Sequence, residues 1–109
     1  MAYSEALAER IRAALGPRDD LREQKMFGGI AFMIRGHMAV GVIKDELMVR
    51  IPAEEHDAAL FEPGARVMDF NHRTMQGFLY VGGDGISAED ELGAWVGRAV
   101  AFAESKPPK

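Results

Sequence analysis

Between positions 5 and 15 the apolar residues return at helical spacing. Leu7, Ile11, Ala14 and Leu15 mark one side, and Glu5, Glu9, Arg10 and Arg12 the other, so the pattern predicts an amphipathic helix. Ser4 stands where an N-cap side chain accepts a hydrogen bond from the first turn, and Gly16-Pro17 stops the helix. After Asp20 the period changes to two. Residues 21–27 read as a first strand and residues 30–34 as a second, with Ile30, Phe32 and Ile34 on one face. Arg35-Gly36 fits a tight hairpin turn, residues 37–43 a third strand, and Lys44-Asp45-Glu46 a further turn. In residues 47–51, alternation points Leu47, Val49 and Ile51 inward and Met48 and Arg50 outward. Turns this short join antiparallel neighbours and cannot make a parallel crossover.

Pro52 ends that run and opens a predicted short helix over residues 53–61, whose apolar members are Ala58, Leu60 and Phe61. Pro63-Gly64 marks a turn. Residues 66–70 and 77–81 read as strands. The polar stretch 71–76 between them reads as an irregular loop, and residues 82–85 as another loop. Ser87 is the expected N-cap of a last helix, with Asp90 three residues on. Leu92, Trp95, Val96, Ala99, Phe102 and Ala103 form the apolar stripe of that helix. This order predicts a two-layer α+β domain with N-terminal, middle and C-terminal helices on an antiparallel sheet of about five strands. The second and third strands are apolar on both faces, so a helix or a second subunit is expected to cover the second face. Met33 and Met48 are expected to line it, and methionine-rich faces suit adaptable partner binding.

Composition adds exclusions. A chain of 109 residues fits one domain spanning residues 1–109. The absence of cysteine removes disulfides, thiolate metal sites and cysteine nucleophiles, and fits a reducing compartment. The charged N-terminus has no signal-peptide core, and no apolar run approaches the ~18 residues of a membrane span. The expectation is a soluble, cytoplasmic protein. Residues 1–54 hold eight basic and eight acidic side chains, residues 55–109 five and nine. Neither half has the basic surplus that phosphate neutralisation demands, so direct nucleic-acid binding is disfavoured.

The chemistry-bearing residues are sparse. Gly28-Gly29 invites comparison with a phosphate loop, but such a loop feeds a helix N-terminus, and here strand material follows. Gly28 and Gly29 are therefore read as a structural turn. His37, His56 and His72 share no metal-ligand spacing, and no metal or cofactor is called for. The serines lie at caps or near the C-terminus, no G-x-S-x-G occurs, and the paired carboxylates sit in first helical turns, so no catalytic residues are assigned. The stretch 66–78 is the densest polar segment, with Arg66, Asp69, His72 and Arg73 among Met68, Phe70, Met75 and Phe78. It reads either as a loop pinned by an Asp69–Arg73 or Asp69–Arg50 pair, or as a recognition surface with arginine and aromatic anchors.

Several ordered stretches give the chain a resemblance to a known family. They are Lys25-Met26-Phe27-Gly28-Gly29, Gly36, Leu47-Met48-Val49-Arg50, Pro63-Gly64, Met68-Asp69-Phe70, Met75-Gln76-Gly77-Phe78 and Ala94-Trp95-Val96. Together they resemble the N-terminal domain of the TfoX/Sxy family of bacterial competence regulators over nearly the whole chain. The resemblance implies an α+β domain and a role in positive regulation of DNA-uptake genes as a co-activator beside a DNA-binding regulator; it does not imply an enzyme, and none is expected. Full-length members carry a second, helical domain, so the chain is expected to be a stand-alone form of the first. The expected partner is a protein, a transcription regulator or a second copy in a homodimer, and not a membrane. The candidate recognition surface is Lys25, Phe27, Arg50, Arg66, Asp69, Arg73, Met75 and Phe78. The alternative is a small-molecule-binding module or enzyme with a pocket near residues 69–78.

Overall fold

A computed structural model describes residues 3–26, 28–70 and 73–107. The side chains of Met26, residues 68–70, residues 73–76 and Asp84 lie outside that description. Helix α1 (Glu5–Leu15) begins as its sequence predicts, with the Ser4 hydroxyl accepting the Leu7 N–H at 3.1 Å. At its end Gly16 takes a positive φ of 69° and its N–H closes on the Arg12 carbonyl at 3.0 Å. Four strands follow as a meander: β1 (Leu21–Met26), β2 (Gly29–Ile34), β3 (His37–Ile43) and β4 (Glu46–Arg50). The β2–β3 turn is the expected Arg35-Gly36 pair, both with positive φ, joining Ile34 opposite His37.

The chain then makes a 3₁₀ turn at Ala53–Glu55 and the one-turn helix α2 (His56–Ala59). Of the apolar residues expected in this helix, only Leu60 packs against the core. Ala58 and Phe61 are exposed and Leu60 is half-buried, while His56 and Ala59 are the buried pair. Strands β5 (Ala65–Phe70) and β6 (Arg73–Val81) form a long hairpin with Phe70 opposite Arg73. Residues 73–76, expected in an irregular loop, thus extend β6; Asn71 and His72 lie outside the described residues. A 3₁₀ turn at Gly83–Gly85 leads to α3 (Glu89–Glu104). Its N-cap is Ala88, one residue later than expected. The Glu91 carboxylate accepts the Ala88 N–H at 3.1 Å, and Ser87 donates to Glu91 instead of capping.

The sheet has six strands, one for each run that reads as a strand, all antiparallel and ordered β1-β2-β3-β4-β6-β5. One face is the core. Ile30, Phe32, Ile34, Val40, Val42, Leu47, Val49, Leu79 and Val81 are buried there against Leu7 and Ile11 of α1, Ala59 of α2, and Leu92, Trp95, Val96 and Ala99 of α3. A bulge between β2 and β3 pairs Phe32 with Val40 and Met33 with Met38, leaving Ala39 as the extra residue, and both Ala39 and Val40 join the core. The buried apolar residues of all three helices belong to this one cluster.

Candidate functional site

Strand alternation assigns the opposite face. Residues on β4 that flank Leu47, Val49 and Ile51 must point away from the core, which places Met48 and Arg50 there as the sequence predicts. The register carries that row across the whole sheet: Arg66 on β5 opposes Tyr80 on β6, Tyr80 opposes Met48, Met48 opposes Gly41, Gly41 opposes Ala31, and Ala31 opposes Gln24 on β1. Beside it lie Phe78 opposite Arg50, and Met33 between Met38 and Arg22. This open face is apolar at its centre and arginine-framed at its margins.

Ala31 and Met48 are buried yet stand outside the core cluster. Met48 is only 6% exposed because it lies over Gly41. Its Cε sits 2.7 Å from where a Cβ at Gly41 would be, and the Ile30 carbonyl oxygen, 2.8 Å from the same point, is the rigid neighbour that requires glycine there. Around this centre Met33, Met38, Ile43, Phe78 and Tyr80 are half-buried. The arginines are held by aromatic rings. The Arg66 guanidinium lies 5.1 Å from the Tyr80 ring centroid and also pairs with Glu46, with Nε donating at 3.1 Å. Arg50 lies 5.6 Å from both the Phe78 and the Phe102 centroids, tying the end of β4 to the C-terminal part of α3. At the same end of the sheet His37 Nε2 donates to the Pro107 carbonyl at 2.7 Å, holding the C-terminal segment to β3.

Of the expected recognition residues, the structure brings together Arg50, Arg66 and Phe78. Lys25 is apart from them. It lies on the edge strand β1 opposite Ile30, so alternation turns it to the helix side at the far edge from β5. Phe27 lies outside the described residues, and so do the side chains of Asp69, Arg73 and Met75, whose backbones belong to the β5–β6 hairpin. Tyr80 belongs to the site and was not singled out from the sequence. Its signal was present, because Tyr80 and Phe78 are two apart on one strand and share a face.

Gly28 and Gly29 serve the turn for two different reasons. Gly28 has φ of 77°, which L side chains resist. At Gly29 a Cβ would overlap the Val42 carbonyl oxygen, so β2 and β3 approach too closely there for any side chain. The pair leads into β2 and no helix N-terminus follows.

Charge elsewhere clamps α1, β1 and α3 together. Arg12 Nε and Nη2 each donate to the Glu23 carboxylate at 2.8 Å. That hydrogen bond, against the opposing effect of burial, holds the Glu23 carboxyl below its ordinary value. The same bond pushes the Arg12 guanidinium still higher. Arg18 binds Asp20 at 2.8 Å and Glu104 at 2.6 Å, and the bond to Arg18 likewise lowers Asp20. Among the described residues no group of three or more metal-ligating side chains converges. Two cavities open along α3, one by Trp95 and one by Phe102, while the side chains of residues 69–76, where a pocket was the alternative expectation, lie outside the description. No described helix is long and apolar enough to cross a membrane.

No curated protein and no solved structure matches this chain. The model of the TfoX N-terminal domain matches residues 13–103, from the second half of α1 to the last turn of α3. That match covers the entire sheet, the glycine turn and the open face, and the chain belongs to the TfoX N-terminal domain family.

Proposed function

We propose that this protein is a competence-related regulatory domain that works by holding a protein partner on its open sheet face, without catalysing a reaction. Family membership supports the regulatory part of this reading. The observation that carries the contact part is the row Arg66–Tyr80–Met48–Gly41–Ala31, an apolar centre with arginine–aromatic anchors at its margin and, among the described residues, no buried helical residue packed on it. Desolvated aromatic and arginine anchors around a methionine centre are the composition that carries binding energy in protein interfaces. The partner in this reading is a DNA-binding regulator of DNA-uptake genes, and the domain acts as its co-activator.

The test is transcription reconstituted from purified regulator, RNA polymerase and a DNA-uptake promoter. Added wild-type protein should raise transcript yield, and Arg66→Glu and Tyr80→Ala should each lose most of that gain. Activation that ignores both substitutions, or no activation by the wild type, counts against the reading.

A further inference from the structure

β1 is an outer strand of the sheet, so one row of its backbone groups has no strand beside it. Ladder parity says which row. The Arg35 N–H donates to the Asp20 carbonyl at 3.0 Å, and the β1–β2 register runs unbroken from Leu21 opposite Ile34 to Met26 opposite Gly29. Asp20, Arg22 and Gln24 therefore bond towards β2, and Leu21, Glu23 and Lys25 turn their N–H and C=O groups outward. The other outer strand differs. The pairing of β5 is broken by a register shift between Val67 and Asp69, a device that blunts an edge.

Glu23 and Lys25 oppose the core residues Phe32 and Ile30, so both stand on the helix side, while Arg22 and Gln24 stand on the open face. All four are exposed. With these charges the strand matches itself in one register. In a symmetric antiparallel pair, a two-fold axis at Arg22, Glu23 or Lys25 sets that charge against its own copy, which repels. An axis at Gln24 sets Glu23 against Lys25 of the second copy, and Lys25 against its Glu23. The same register brings the outward N–H and C=O groups of both residues into bonding positions. Glu23 already accepts from Arg12, and a carboxylate has lone pairs for a further donor.

We infer that two copies of this chain pair through β1, antiparallel about Gln24, and join their six-stranded sheets into one. Charge decides the occupant, because a strand that alternates a carboxylate and an ammonium on one face is complemented by its own reversed copy. The contact uses only the edge. Both open faces stay free on the same side of the joined sheet, so it neither requires nor blocks a regulator bound there.

The chain has no cysteine, so Gln24→Cys carries a single thiol. At the axis it meets its own copy as a non-hydrogen-bonded pair with Cα atoms about 4.5 Å apart, a gap that a disulfide spans. Mild oxidation of the whole protein should link it into a covalent dimer. Arg22→Cys, which faces Met26 of the second copy, should stay mostly unlinked. Sedimentation supplies the second readout. The wild type should be a dimer that dissociates on dilution. Glu23→Lys and Lys25→Glu should each weaken the dimer on the order of tenfold or more, since each sets like charges together at both contacts. Mixing the two variants joins opposite charges at both contacts and should restore most of the affinity. The cysteine comparison does not depend on whether Glu23→Lys folds. A wild type that is monomeric at every concentration, equal linking of the two cysteine variants, or folded charge variants whose mixture dimerises no better than either alone overturns the proposal. A dimer indifferent to both charge changes assigns the contact to another surface, and also overturns it.

Discussion

The Gly77 N–H donates to the Nδ1 of His56 at 3.0 Å, inside a site where His56 is buried. That bond assigns the tautomer: Nδ1 is the acceptor, so Nε2 carries the hydrogen, and Nε2 has no partner among the described residues. The relationship fixes α2 to β6 just where Gly77 takes φ of 85° and β6 passes close to Ile51 and Ala53. Replacing His56 by Ala leaves a buried N–H unpaired and opens a cavity, and should cost about 3 kcal/mol. His56→Asn, whose side-chain oxygen can accept the same hydrogen, should recover part of the loss. Denaturant melts of the three proteins check both statements.

The glycine turn gives a second expectation. Gly28→Ala meets the penalty of a left-handed backbone, about 1 kcal/mol. Gly29→Ala drives a Cβ into the Val42 carbonyl and forces β2 and β3 apart, which should cost about 2–3 kcal/mol. Thermal melts should rank Gly29→Ala as the less stable. The reverse order would mean that the turn, not strand approach, sets the glycine requirement.

A third concerns acid. Glu23 is held below its ordinary carboxyl value by Arg12, so the folded state binds a proton less readily than the unfolded one. Stability from the pair is therefore present above the unfolded value of 4.5 and disappears as pH falls through the lower folded value. Arg12→Met should flatten the loss of stability between about pH 5 and pH 3, and high salt should narrow the difference from wild type. Melting temperatures across that range, at two salt concentrations, are the readout.

These sites differ in how far the sequence announced them. The meander from β2 to β4 was legible because Arg35-Gly36 supplies a two-residue turn and strict alternation supplies the faces, so Leu47, Val49 and Ile51 fell inward as expected. The end of the β5–β6 hairpin was not. Its polar residues carry no hydrophobic alternation, and pairing with β5, which only the folded chain supplies, makes them strand. In α2 the apolar residues did not mark the buried side: Leu60 packs partly on the core, but the buried positions are His56 and Ala59, one polar and one small, while Phe61 faces water. A pattern of apolar residues cannot locate a core built on a histidine. The α3 cap moved by one residue because Glu91, closing on the Ala88 N–H, outweighed the hydroxyl of Ser87.

The candidate surface was half legible for a related reason. Alternation placed Met48 and Arg50 outward and grouped Met33 with Met48, but Lys25 depends on the register of β1 against β2, which alternation on a single strand does not fix. That register sends Lys25 to the helix side.

Met33 and Met38 are paired and half-buried on the open face, so Met33→Glu/Met38→Glu loses apolar burial and sets two carboxylates opposite each other; it should cost about 1–3 kcal/mol and leave the fold intact, as circular dichroism and a melt check.

The most direct measurement is the affinity of the DNA-binding competence regulator for three immobilised forms: wild type, the double variant Met33→Glu/Met38→Glu, and Phe61→Ser. A contact through the open face predicts that the double variant loses binding while Phe61→Ser keeps it. Wild-type binding by the folded double variant would contradict that claim.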